Sequence, residues 1–195
     1  MSKSVKNIAI LASGAGSNAQ KIIDYFSGRR DISVRLIVSN KQDAGVLNIA
    51  RAAAIDTLIV TRNSFYSSTD LLAELDKHKI DFIVLAGFLW LIPPYLIQQY
   101  PDRIINIHPA LLPKYGGKGM YGHFVHEAVH LAKDAYSGIT IHFVNEKYDE
   151  GSIVFQDRCE ILPSDQPEDI AKKVQILEHT HYPMVIDQLV SALTL

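Results

Sequence analysis

The sequence predicts an α/β fold with a doubly wound, mostly parallel sheet of about seven strands and helices on both faces. Three observations support this class. Short apolar runs alternate with helical patterns through the first five strands, and such alternation is typical of parallel sheets. The run at 82–87 is continuously apolar, as expected of a strand buried on both faces. A glycine turn also follows the first strand, which is typical of Rossmann-like folds.

The first half of the chain is predicted to alternate strands with helices. Each strand is a short apolar run, and the helices are assigned where apolar side chains recur every three or four residues. Leu71, Leu72 and Leu75 recur in this way and share one helix face. These patterns predict strands at 7–12, 32–38, 57–60 and 82–87, and helices at 19–26, at 44–54 and from 67–70 onward.

The second half of the chain continues the same pattern with three more strands. Pro109 ends the first of them, because proline cannot donate to a strand ladder. Thr140 and His142 share one face of the next strand, and His142 is interpreted as a structural hydrogen-bonding residue. Pro183 predicts a kink in the last helix. The strands are 104–108, 138–144 and 153–161, and the helices are 124–132 and 168–193.

Length and composition indicate an ordinary globular protein. With 195 residues, 48% of them hydrophobic and 21% charged, residues 1–195 are expected to form a single domain. The net charge of -2 argues against broad electrostatic binding to nucleic acid or to a membrane. The single cysteine, Cys159, fits a reducing compartment. We find no secretory signal and no apolar run of transmembrane length, so a cytoplasmic location is expected.

Two polar side chains interrupt the fifth strand. Asn106 and His108 are two residues apart and therefore project from the same face. A buried polar group costs free energy unless it finds a partner. Either the two side chains are satisfied core residues that hold a loop, or they form a site. In a site, an amide donor beside an imidazole would suit a developing oxyanion together with a proton transfer.

The glycine-rich turn after the first strand is a candidate anion site. Residues 13–18, Ser-Gly-Ala-Gly-Ser-Asn, lead directly into a helix. A turn of this kind presents backbone N–H groups to a phosphate. It lacks the lysine of a P-loop and the third glycine of the dinucleotide fingerprint. Helix capping alone would explain Ser17, and tight turning alone would explain Gly14 and Gly16. We favour a phosphate site because of the position of the turn in the α/β pattern.

Several polar or aromatic residues fall where predicted strands end, namely Ser17, Asn40, Phe88 and His108. In doubly wound sheets, ligands bind beyond the carboxyl ends of the strands, so these residues are expected to converge. The chain has eight histidines but no His-Glu-x-x-His motif, and no cysteine pair is available. We therefore predict no catalytic metal.

The segment from Asn106 to Pro113, Asn-Ile-His-Pro-Ala-Leu-Leu-Pro, resembles the active-site segment of the folate-dependent formyltransferases. Other short motifs occur in the order expected of the branch of that family that acts on glycinamide ribonucleotide, and together they cover nearly the whole chain. They are Gly14–Asn18, Ser39-Asn40, Leu85–Phe88, Thr140–Val144, Asp149-x-Gly151 and Gln175-x-x-Glu178-His179. The resemblance implies the Rossmann-like formyltransferase fold, with 10-formyltetrahydrofolate as co-substrate and glycinamide ribonucleotide as formyl acceptor. It allows a homodimer.

The resemblance also implies which residues act. Asn106, His108 and Asp149 would be catalytic, and Asp149 would raise the pKa of His108. The substrate-binding residues for glycinamide ribonucleotide would be Gly16, Ser17, Asn18, Ala19, Gln20, Gln175 and Glu178. The folate-binding residues would be Leu89, Trp90, Leu91, Ile92, Asn106, Asn145, Glu146, Lys147, Tyr148 and Asp149.

Two features depart from the family pattern. Trp90 stands where members of the family often carry arginine, which affects the expected charge contacts to folate. The loop Gly116–Gly122 is longer than usual, so either His123 or His126 takes the usual histidine position. Two other functions fit the same residues. One is a 10-formyltetrahydrofolate hydrolase, in which water replaces the amine, and the other is a non-catalytic nucleotide- or folate-binding protein.

Overall fold

A seven-stranded sheet runs through the centre of the computed structural model, which describes residues 5–194. The strand order is β3-β2-β1-β4-β5-β6-β7. The first five strands pair in parallel, whereas β6 and β7 are antiparallel to their neighbours. The strands are β1 Lys6–Leu11, β2 Ile32–Ser39, β3 Asp56–Ile59, β4 Phe82–Leu85, β5 Ile104–His108, β6 Tyr136–Phe143 and β7 Ile153–Glu160. The predicted mostly parallel sheet of about seven strands is confirmed.

Seven helices flank the sheet in the described part of the chain. They are α1 Ser17–Phe26, α2 Val46–Ala52, α3 Arg62–Tyr66, α4 Asp70–Lys77, α5 Pro94–Gln99, α6 His123–Ala132 and α7 Pro167–Ala192. Residues 1–4 and 195, which belong to the unit predicted for 1–195, lie outside the described residues. None of the helices within residues 5–194 is long and apolar enough to cross a membrane.

Two apolar cores lie on opposite faces of the sheet, because successive strand residues point to opposite sides. In β1, Ile8 and Ile10 pack into the core formed with α1, α2 and α7. Ala9 and Leu11 pack into the core formed with α3, α4 and α5. This two-sided burial is the physical reason that the strands are continuously apolar.

Two short helices were not predicted from the sequence. Helix α3 has five residues and begins at a capping box between Thr61 and Ser64, and α5 has six residues with Pro94 in its first turn. Both are too short to show helical periodicity clearly. Helix α7 continues through Pro183 as a single 26-residue element, where the sequence predicted a kink. The fully buried Tyr182 hydroxyl donates to the Leu85 carbonyl oxygen at 2.8 Å and so ties α7 to the end of β4.

Candidate active site

The polar face of β5 is matched by a polar face on its neighbour β6. In the antiparallel register, Asn106 lies opposite His142 and His108 lies opposite Thr140. Directly opposite residues of antiparallel strands project from the same side of the sheet. Four polar side chains therefore gather at the end of β5, where the parallel part of the sheet meets its antiparallel edge.

Asp149 joins this group from the loop between β6 and β7. Its Oδ1 atom is 3.5 Å from Asn106 Nδ2, and its Oδ2 atom is 3.5 Å from His108 Nδ1. The side chains of His108 and Asp149 are only 4% and 10% exposed, so both groups are largely shielded from solvent. The structure thus brings together Asn106, His108 and Asp149, which lie up to 43 residues apart in sequence.

The tautomer of His108 follows from its second contact. Its Nε2 atom is 2.7 Å from the carbonyl oxygen of Tyr115. A carbonyl oxygen only accepts hydrogen bonds, so Nε2 carries a hydrogen and donates it. Nδ1 is therefore the ring nitrogen that gains and loses a proton, and it faces Asp149.

Burial lowers the pKa of His108 below its usual range, although Asp149 and the Tyr115 carbonyl both act to raise it. Asp149 therefore acts on the pKa of His108 in the expected direction, but the net shift is downward. Desolvation outweighs one partner carboxylate because a charged imidazolium loses its hydration on burial. The ring is held neutral near pH 7, with a free Nδ1 able to accept a proton.

Asp149 is held in its charged form. Burial acts to raise the pKa of its carboxyl, but interactions with His142, His108 and the Gly117 N–H outweigh burial and lower it. The Gly117 N–H donates to Oδ2 at 2.9 Å. Asp149 also adopts a left-handed backbone conformation, with φ +57°, which non-glycine residues rarely adopt.

His142 contacts the same group of side chains, although the sequence predicts only a structural role for it. Its Nδ1 atom is 2.8 Å from the Phe143 carbonyl oxygen, so Nδ1 carries the hydrogen. Its Nε2 atom accepts from Asn106 Nδ2 at 3.3 Å and lies 3.6 Å from Asp149. His142 thereby orients the amide of Asn106. The signal in the sequence was the shared face of Thr140 and His142, but nothing in the sequence showed that this face meets Asn106.

A cleft of about 810 Å³ opens at this group, and its lining includes Asn106, His108, His142 and Asp149. One end of this cleft is the glycine turn, which contributes its residues 13–18. Gly16 has φ +87°, and a Cβ atom there would lie 2.8 Å from Val46 Cβ, so only glycine fits. Helix α1 begins at Ser17, two residues earlier than predicted, and its N-terminus opens toward the cleft. This geometry favours binding of an anion.

Helix α7 closes this end of the cleft. The Asn18 side chain donates to Glu178 Oε2 at 3.0 Å, and Gln175 Nε2 lies 3.5 Å from Ser17 Oγ. Burial raises the pKa of the Glu178 carboxyl, while the bond from Asn18 acts to lower it. These predicted substrate-binding residues come together. The remaining two do not line the cleft: Ala19 is fully buried in the core, and Gln20 bonds to Asp24.

The other end of the cleft has an apolar wall. Residues 88–92 line it, and the Trp90 ring packs with Phe65 and Phe88 at centroid distances of 5.5 and 6.1 Å. The Arg62 guanidinium lies 5.3 Å from the Trp90 ring centre. Position 90 is aromatic in this chain, but the guanidinium of Arg62 places a positive charge beside it.

The polar loop after β6 divides into two parts. Lys147, Tyr148 and Asp149 line the cleft, whereas Asn145 and Glu146 do not. The Asn145 side chain instead accepts from the Lys147 N–H at 2.9 Å and donates to the Glu150 carbonyl at 3.0 Å. It shapes the loop that carries Asp149.

The glycine-rich loop borders the cleft on the side of α6, with residues 117–123 in its wall. His126 is buried there, and its Nδ1 atom has no hydrogen-bond partner among the described residues. Burial lowers the pKa of His126, and the nearby His108 and His123 lower it further. His123 is exposed and packs on Phe124 at 4.0 Å. Within residues 5–194, no group of three or more metal-ligating side chains is arranged to hold an ion.

Comparison with known proteins places this cleft in a family. Residues 6–186 match the family model described as formyl transferase. The chain is 44% identical over 187 residues to the chloroplastic phosphoribosylglycinamide formyltransferase of Arabidopsis thaliana, covering 93% of this chain and 64% of that relative. It is 37% identical over 185 residues to the Escherichia coli K12 phosphoribosylglycinamide formyltransferase, covering 92% and 85%. It spans less than two thirds of the length of the Arabidopsis relative.

Solved structures give the same assignment. The structure of phosphoribosylglycinamide formyltransferase from Bacillus halodurans superposes with a TM-score of 0.85 at 34% identity, over 96% of each chain. Glycinamide ribonucleotide transformylase 1 from Geobacillus kaustophilus superposes with a TM-score of 0.85 at 32% identity, over 96% of this chain and 100% of that one. Sequence and fold agree, and the chain belongs to the formyl transferase family.

Proposed function

We propose that this protein transfers the formyl group of 10-formyltetrahydrofolate to the amine of glycinamide ribonucleotide, a step of purine biosynthesis. The observation that carries the proposal is the convergence of Asn106, His108 and Asp149 between an anion-binding turn and an apolar wall. The relatives named as phosphoribosylglycinamide formyltransferases support glycinamide ribonucleotide as the formyl acceptor.

The two ends of the cleft suit the two substrates. The phosphate of the ribonucleotide would bind at Gly16, Ser17 and Asn18, with Gln175 and Glu178 beside its ribose. The pterin and benzoyl rings of folate would lie against residues 89–92 and 147–149. The reacting amine and formyl carbon then meet above Asn106 and His108. Holding two reactants in register supplies about 7–11 kcal/mol of a bimolecular barrier.

The chemistry is direct acyl transfer. The amine attacks the formyl carbon, a C–N bond forms, and the carbonyl oxygen becomes an oxyanion to which Asn106 Nδ2 donates. The neutral His108 takes the amine proton at Nδ1 and becomes an imidazolium. It then gives that proton to the folate nitrogen as the old C–N bond breaks, so charge and atoms balance.

Asp149 acts during the step in which His108 is an imidazolium. Its carboxylate lies 3.5 Å from His108 Nδ1, so it stabilises the imidazolium more than the neutral ring. An imidazole that starts neutral and is charged only during the reaction gains this attraction where the barrier is highest.

Folate absorbance during turnover tests the proposal. Purified protein is mixed with 10-formyltetrahydrofolate, with and without glycinamide ribonucleotide, and formylated product is measured by mass spectrometry. We expect folate release only when the ribonucleotide is present, with an equal amount of formylated product. Release without the ribonucleotide would instead support the hydrolase, and binding of both ligands without turnover would support a non-catalytic binding protein.

The remaining expectations belong to this proposal. The protein would act in the cytoplasm, with residues 1–195 as a single domain and no resident metal. A homodimer stays a prediction, which sedimentation at several protein concentrations would test.

A further inference from the structure

The turn Tyr115–Gly117 contacts two of the three proposed catalytic side chains through its backbone. The Tyr115 carbonyl accepts from His108 Nε2 at 2.7 Å, and the Gly117 N–H donates to Asp149 Oδ2 at 2.9 Å. One short segment therefore fixes the tautomer of the histidine and one oxygen of the carboxylate. A shift of this segment would move both groups together.

The turn has little freedom in the folded chain. Tyr115 has φ +58° and Gly117 has φ +97°, and the first of these is unfavourable for a side chain that is not glycine. A Cβ atom on Gly116 would lie 2.6 Å from Leu112 Cδ2 and 3.2 Å from Asp149 Cβ. A strained conformation persists only where surrounding contacts hold it.

The contact that holds the turn comes from behind the active site. The Tyr115 hydroxyl donates to Asp134 Oδ2 at 2.9 Å, and Lys114 Nζ lies 3.1 Å from the same oxygen. Asp134 follows the end of α6, two residues after Ala132. Lys114 and Tyr115 hold the pKa of the Asp134 carboxyl below its usual range. The carboxylate therefore remains charged wherever the enzyme would work.

The hydroxyl contact is separate from the packing of the ring. The Tyr115 ring packs partly against the large core. The same residue borders a second cleft of about 270 Å³, together with Asp134 and Tyr136, on the side away from the proposed catalytic groups. Removing only the hydroxyl would leave the packing of the ring in place.

We propose that Tyr115 and Asp134 are positioning residues, whose side-chain hydrogen bond holds the 115–117 turn so that His108 and Asp149 keep their catalytic geometry. This inference rests on the proposed function for its activity readout. The effect passes through the 115–117 turn. Asp134 accepts a hydrogen bond from the Tyr115 hydroxyl, and the backbone of the turn bonds to the side chains of His108 and Asp149. Neither Asp134 nor the Tyr115 hydroxyl needs to touch substrate.

The test uses Tyr115→Phe and Asp134→Ala, with Tyr136→Phe as the matched control. Tyr136 is a neighbouring exposed tyrosine of the same second cleft, and its change also removes one phenol hydroxyl. We expect kcat to fall by roughly 10-fold in the two test variants, because small misplacements of catalytic groups are costly. KM for both substrates should stay within about twofold, since the turn would serve positioning rather than binding. The control should keep its kcat.

A second readout separates positioning from general stability. The Tyr115 carbonyl acts to raise the pKa of His108, so a loosened turn should move the ¹⁵N NMR titration of the His108 ring to lower pH. The double variant Tyr115→Phe/Asp134→Ala should lose no more kcat than either single variant, because both changes remove the same hydrogen bond. This titration does not require turnover, so it tests the contact even if the wild-type protein fails to transfer formyl groups.

The outcomes are distinct. An unchanged kcat and an unchanged His108 titration in Tyr115→Phe would overturn the proposal. Equal losses in Tyr115→Phe and Tyr136→Phe would also overturn it, because they would indicate a general effect of removing a hydroxyl near this cleft. A lower melting temperature with an unchanged titration would assign the hydrogen bond to stability alone.

Discussion

At the residue scale, the amide of Asn106 makes only long hydrogen-bond contacts within the described residues. Its Nδ2 atom makes two long contacts, 3.3 Å to His142 and 3.5 Å to Asp149. Such a donor is available for an oxyanion that forms only during reaction. This preorganised arrangement is a common source of transition-state stabilisation.

Replacing Asn106 by alanine should lower kcat by about 10²–10³, as the loss of one oxyanion donor does in other acyl-transfer sites. KM should change little, because the bond forms mainly in the transition state. Steady-state kinetics measures both constants. Asn48→Ala, on the exposed side of α2, is the control for loss of an amide, and near-normal turnover of Asn106→Ala would exclude the oxyanion role.

Replacing Asp149 by asparagine should move the His108-dependent limb of the kcat/KM–pH profile to lower pH. The carboxylate acts to raise the pKa of His108, so its removal lets burial lower that pKa further. The amide keeps the shape of the side chain. Rate profiles between pH 5 and pH 9 would measure the shift. Glu150→Gln, which changes the exposed carboxylate next in sequence, is the control and should leave the His108-dependent limb at its wild-type pH. If Asp149→Asn also left this limb at its wild-type pH, Asp149 would have no role in the proton transfer.

The sequence predicted part of this site from local chemistry. Asn106 and His108 share a face because strand periodicity is two, and that relation needs no tertiary information. Asp149 was assigned only through family resemblance, and His142 was assigned a structural part. Their meeting depends on the antiparallel register of β5 and β6, which no local pattern specifies.

At the element scale, the strands were predictable because burial on both faces makes them continuously apolar. Helices α3 and α5 were not, because five or six residues cannot show a 3.6-residue period. The contact between the 115–117 turn and the catalytic side chains was also inaccessible from sequence. The Tyr115 carbonyl and the Gly117 N–H make this contact. Every residue has a backbone carbonyl, and nearly every residue has a backbone N–H, so the residue types do not reveal the contact.

Gly138 lies where β6 and β7 approach each other closely. A Cβ atom on Gly138 would lie 2.0 Å from the Asp157 carbonyl oxygen and 2.9 Å from Leu111 Cδ2. Gly138→Ala should therefore destabilise the protein by about 3 kcal/mol, at the upper end for overpacking. For a chain of this size, that corresponds to a fall in Tm of about 6–12 °C.

Gly14→Ala is the matched control for this change. A Cβ atom on Gly14 would meet nothing within 4 Å, so its Tm should stay close to that of the wild type. Differential scanning calorimetry measures both variants. Equal Tm values for Gly138→Ala and Gly14→Ala would contradict the close approach of β7 to Gly138.

At the scale of the whole molecule, the buried histidines of the cleft link stability to pH. Burial lowers the pKa values of His108 and His126 in the folded chain. The unfolded chain, with histidine pKa values near ~6.5, therefore binds more protons as the pH falls. The stabilisation is present above about pH 6.5 and is lost as the pH falls through the folded-state values. The raised pKa of Glu178 acts in the opposite direction, so the contribution of one imidazole has to be isolated by substitution.

His126→Gln isolates that contribution, because it removes one buried imidazole without touching Asn106, His108 or Asp149. Each proton bound only by the unfolded chain changes the free energy of unfolding by about 1.4 kcal/mol per pH unit. Urea unfolding measures the free energy of unfolding between pH 7.5 and pH 5.5. It should fall with pH in both proteins, but less steeply in His126→Gln. The difference between the two slopes should be at most about 1.4 kcal/mol per pH unit. His130→Gln, on the same helix α6, is the control for the loss of one imidazole. If His126→Gln instead kept the full fall in stability, protonation of His126 would not contribute to acid destabilisation.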